Sequence, residues 1–63
     1  MLEQEMLREQ FEKLLNQQRE AEQIYARLSG YVSDASYRNR IDEVRRQKRK
    51  HIILTERLLE LLE

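Results

Sequence analysis

The chain has 63 residues with no cysteine, no proline and one glycine, and its 12 basic and 12 acidic side chains cancel to a net charge of zero. Those figures exclude a disulfide framework, a thiolate metal site and a glycine-rich phosphate loop. They also leave too little chain for a sizeable core, because one pair of short helices buries little apolar surface.

The chain is rich in Leu, Glu, Gln, Arg and Lys, all good helix formers. With 40% hydrophobic and 38% charged residues it is too apolar and too periodic for a disordered segment. Apolar runs stop at two or three residues, as in Ile52-Ile53-Leu54. A membrane span takes about 20, so no membrane partner is expected. Glu3, Glu5, Arg8 and Glu9 break up any signal-peptide pattern. A cytoplasmic location is the expectation.

The first predicted element is a helix over about 2–29. Alternating steps of four and three from Leu7 give Leu7, Phe11, Leu14, Gln18, Ala21, Tyr25, Leu28 and Val32. Such a stripe packs on other helices. Met6, Leu15 and Ile24 flank it. Gly30 suits a left-handed C-terminal cap, with the turn over about 30–33. Tyr31 and Val32 carry the stripe onward, so the last turn can run past Gly30. Ser33 or Asp34 is the expected N-cap of the next element.

That element is a second helix over about 34–63. Its stripe is Tyr37, Ile41, Val44, Lys48, His51, Thr55, Leu58 and Leu62, flanked by Ile52, Leu54, Leu59 and Leu61. The connection is short enough to force an antiparallel hairpin. Each apolar stripe is wide enough to touch two neighbours. The expected architecture is all-α: one hairpin domain over 1–63 that pairs with a second copy as a two-fold four-helix bundle.

Both stripes are polar in the middle, and a polar core layer costs stability unless its groups are paired. Gln18 lies three residues before Ala21 and seven before Tyr25; Lys48 and His51 are spaced i, i+3, some fourteen residues after Asp34. In these positions, across about 14–62, the chain resembles one helix pair of the ferritin-like, rubrerythrin-type di-iron proteins. In that family the first helix carries a metal-binding Glu, a small residue and a Tyr, and the second a Glu-x-x-His. The resemblance implies a ferritin-like half that dimerises. It departs where the chemistry lies. Gln18 and Lys48 stand in the positions of the two Glu residues, and di-iron sites need anionic oxygen ligands. His51 is the one remaining ligand candidate, and alone it cannot hold iron. No catalytic residue, metal or cofactor is expected.

Without a metal, Gln18, Glu22, Tyr25, Lys48, His51 and Thr55 become a polar core layer. Lys48 either snorkels or pairs internally with Glu22 or the Tyr25 hydroxyl. His51 is expected in the core or half-buried with a hydrogen-bond partner, and Gln18 as an amide bonded across the dimer. Tyr25, Tyr31 and Tyr37 are core or rim aromatics.

From Tyr37 to His51 seven bases stand against Asp42 and Glu43. Arg38, Arg45, Arg46, Arg49 and Lys50 therefore form a candidate anion-binding face. A solvated helix face explains it without a function. A nucleic-acid footprint would act through phosphate contacts, though the chain is neutral and shows no stacking platform. The expected role is a non-enzymatic structural, interaction or regulatory module whose partner is itself, with another protein as a further partner. The alternatives are a ferritin-like metal-binding protein and a small RNA- or DNA-binding dimer.

Overall fold

The computed structural model describes residues 2–62. They form a hairpin of two helices that pack against each other, α1 (Leu2–Tyr31) and α2 (Ala35–Leu62), joined by residues 32–34. The expected continuation of α2 to Glu63 lies outside the described residues.

The end of α1 corrects the sequence expectation. Gly30 is not a left-handed cap: it is helical, and no described residue has a positive φ. The cap is unnecessary because a side chain from the next helix takes over its task. The Arg38 guanidinium donates two hydrogen bonds, of 3.1 and 2.6 Å, to the Val32 carbonyl. A carbonyl left free just past the helix end is thereby satisfied. Of the two N-cap candidates, Asp34 serves. Its Oδ1 accepts from the Ser36 and Tyr37 amides at 2.9 and 3.2 Å, the second and third amides of the new helix.

The open end of the hairpin is tied in a similar way. Gln4 Nε2 donates to the Leu62 carbonyl at 2.6 Å and Arg8 donates to it at 3.3 Å. The first turns of α1 thus satisfy one of the last carbonyls of α2. Arg8 Nε itself is buried without a partner.

Between these ends the helices meet along a seam. α1 turns Arg8, Phe11, Leu15, Gln18, Glu22, Tyr25 and Ser29 away from solvent, and α2 turns Ile41, Arg45, Lys48, Ile52, Thr55, Leu59 and Leu62. The sequence stripe agrees at Phe11, Gln18, Tyr25, Ile41, Lys48, Thr55 and Leu62. Most of the alternate positions are displaced by one residue: Leu15 is buried where Leu14 was expected, and Arg8, Ser29, Ile52 and Leu59 are less exposed than Leu7, Leu28, His51 and Leu58, while Ala21 and Val44 are half-buried like Glu22 and Arg45. The cause is that each helix carries two overlapping stripes. The shared positions lie between them, about 40–60° from each flank at 100° per residue. The hairpin uses one flank and leaves the other open.

The resulting core is thin. Leu15 and Thr55, at 7% and 4% exposure, are the buried residues among those described, and no large side chain is fully buried. The Cα trace measures 51 × 14 × 11 Å. That is one layer of helices, whereas stable domains stack at least two.

Candidate functional site

The middle of the seam brings some of the expected polar residues together and separates others. Gln18 and Thr55 meet: Thr55 Oγ1 donates to Gln18 Oε1 at 3.0 Å and lies 2.8 Å from the His51 carbonyl. A hydroxyl has one proton, so the two acceptors share it. This pairing accounts for a buried Thr in a helical seam and engages the Gln18 Oε1 within the hairpin.

Glu22 does not pair with Lys48. Its Oε1 accepts from Arg45 Nε at 3.2 Å and from Arg49 Nε at 3.3 Å. Arg45 lies one turn before Lys48 and also reaches Asp42 at 3.7 Å. A guanidinium, longer and forked, engages the carboxylate from the seam edge with less desolvation than a buried ammonium. Lys48 stays half-buried in the seam with no ion pair among the described residues. Tyr25 is half-buried on the same seam. His51 is exposed rather than in the core or half-buried, because it lies on the flank that the hairpin leaves open.

Lys48 and Thr55 are one heptad apart, about 10 Å along the helix at 1.5 Å per residue. The expected polar layer is thus spread over successive levels of the hairpin. No group of three or more His, Asp or Glu side chains that could hold a metal ion occurs among the described residues.

The basic run is likewise divided. Arg38 is committed to the Val32 carbonyl, and Arg45 and Arg49 to Glu22. Arg46 and Lys50 are exposed, without an ion pair among the described residues.

The two long sides of the hairpin differ sharply. One carries the polar crossings: Arg19 with Glu56 at 3.8 Å, Glu22 with Arg45 and Arg49, and Ser29 Oγ donating to Asp42 Oδ1 at 2.9 Å. These crossings also set the register, which puts Leu14 level with Leu58, Ala21 with His51, and Leu28 with Val44. All six lie one residue before a seam position, so they share the opposite side. There Leu7, Leu14, Ile24, Leu28, Leu54 and Leu58 stand between 36% and 56% exposed. Tyr31, Tyr37 and Leu61 extend this apolar side towards the hairpin's two ends and are more exposed still. The described residues enclose no pocket, so the surface that can act is a face and not a cleft.

Neither protein-family models, curated proteins nor solved structures give a significant match to this chain. No helix of the described residues is long and apolar enough to cross a membrane.

Proposed function

We propose that the hairpin is a self-association module: two copies bury their apolar sides against each other as a four-helix bundle, in a non-enzymatic structural or interaction role. The observation that carries this is the double stripe on each helix. One flank, which mixes Leu15, Ile52 and Leu59 with Arg8, Glu22, Ser29 and Arg45, is used by the hairpin, and the more apolar flank lies on the same, outer side of both helices. The shared seam positions between the flanks would then point to the bundle axis, as they do when every helix has two neighbours. From the ferritin-like resemblance this proposal takes the bundle architecture and leaves the metal chemistry, since Gln18 and Lys48 replace carboxylates.

Area supports the same outcome. The chain exposes 5386 Å², against about 4,400 Å² for a compact monomer of its mass. The excess of roughly 1,000 Å² matches the ~800 Å² that each partner buries in a standard interface.

The test replaces Leu14 and Leu58 together by Glu. Both lie outside the hairpin seam. The double variant is expected to sediment as a monomer at concentrations where the parent chain is dimeric, while Glu20→Ala, on the far face, keeps the dimer mass. A double variant that stays dimeric would show that the apolar side is not the interface.

A further inference from the structure

The apolar side accepts a second hairpin in two symmetric ways. A two-fold axis along the helices puts both loops at the same end. An axis across the helices puts them at opposite ends. Both make an all-antiparallel bundle, so helix packing alone does not choose.

Charge does choose. Cut the hairpin at the level of Ala21 and His51, in the register that keeps Gln18 with Thr55 and Arg19 with Glu56. The open half, residues 2–20 and 52–62, carries seven acids and four bases, a net charge of −3. The loop half, residues 21–51, carries eight bases and four acids, a net charge of +4. A chain that is neutral as a whole is thus strongly dipolar along an axis of 51 Å. The segregation is clearest on α2, where Arg38, Arg40, Arg45 and Arg46 lie near the loop and Glu56 and Glu60 near the open end.

We infer that two copies associate with their loops at opposite ends, the basic loop half of each lying over the acidic open half of the other. This rests on the self-association proposed above and specifies its geometry. With the loops together, each net +4 half would lie against its like, and each net −3 half against its like. Such charges within about 10 Å of one another at 0.1 M salt are only partly screened, and like-charge juxtaposition is what selects against a wrong partner arrangement. With the loops apart, α1 packs on α1 of the second copy and α2 on α2. The apolar stripe runs from Leu7 to Tyr31 on α1 and from Tyr37 to Leu61 on α2, so its centre is the Ala21–His51 level. The axis passes there, and the small Ala21 side chains let the two α1 helices approach closely.

The chain has no cysteine, so Ser33→Cys in the exposed loop gives one spin-label site per copy. Double electron–electron resonance on the labelled full chain should return a single distance of about 35–50 Å at 1.5 Å of rise per residue. Loops at the same end would give under about 20 Å, since neighbouring helix axes are 8–10 Å apart. Raising NaCl from about 0.05 to 0.5 M shortens the Debye length from about 14 to about 4 Å. It should raise the dimer Kd about three- to tenfold. A short or two-peaked distance distribution, or a Kd that holds steady or falls with salt, overturns the opposite-ends arrangement. A dimer mass in the same sample would leave the self-association standing, and a monomer mass would remove both.

Discussion

Replacing Gly30 by Ala should stabilise the protein. The residue is helical, and a Cβ there meets nothing within 4 Å. Alanine then removes backbone freedom from the unfolded chain, for a gain of about 0.5–1 kcal/mol. A higher urea midpoint checks this, and a lower one would restore the left-handed cap that the sequence suggested. Asp34→Ala should cost about 1 kcal/mol, because two amides lose their acceptor. Glu22 and Lys48 are expected to behave as unrelated sites. Glu22→Gln removes the charge that offsets Arg45, whose side chain is 24% exposed, and the cost should fall between exposed and buried pairs, about 1–2 kcal/mol. Lys48→Met should be neutral or stabilising, since it removes a half-buried cation that has no ion-pair partner among the described residues. The double variant should then show additive effects. A coupling above about 0.5 kcal/mol would show that the two residues interact. All of these are compared at one protein concentration, because association shifts apparent stability.

At the scale of the helix, periodicity made the two elements and the hairpin readable, while the side each helix gives to its partner was not. Leu14 and Leu15 are equally apolar, as are Leu58 and Leu59, so a stripe read through either fits the sequence. What separates them is pairing between the helices. Arg19 meets Glu56 and Glu22 meets Arg45 only when Leu15, Ile52 and Leu59 face inward. The same ambiguity hid the candidate site. His51, read as a core residue, stands on the open flank, and the seam instead holds Thr55 against Gln18. The Glu22–Arg45 pair was hidden for the same reason, since both residues stand on the flank that periodicity alone does not single out as inward. Lys48 occupies a stripe position yet makes no ion pair among the described residues. Leu15→Ala, which opens the seam, should lower the urea midpoint by an amount equivalent to at least about 2 kcal/mol. Leu14→Ala should act mainly through association, with a cost that shrinks as protein concentration falls. Equal, concentration-independent costs would mean that the two flanks are not used differently.

For the whole molecule, a single layer of two helices with Leu15 as its one buried apolar side chain among the described residues is a poor candidate for independent stability. In the proposed bundle a second copy would supply the missing layer, against the apolar side that the hairpin leaves exposed. Equilibrium sedimentation of the unmodified chain at micromolar concentration, with helicity followed in the same samples by circular dichroism, tests this most directly. Self-association gives a mass twice the 7.8 kDa of the chain, with helicity and dimer mass lost together on dilution. A species of 7.8 kDa that remains fully helical at every concentration would contradict it.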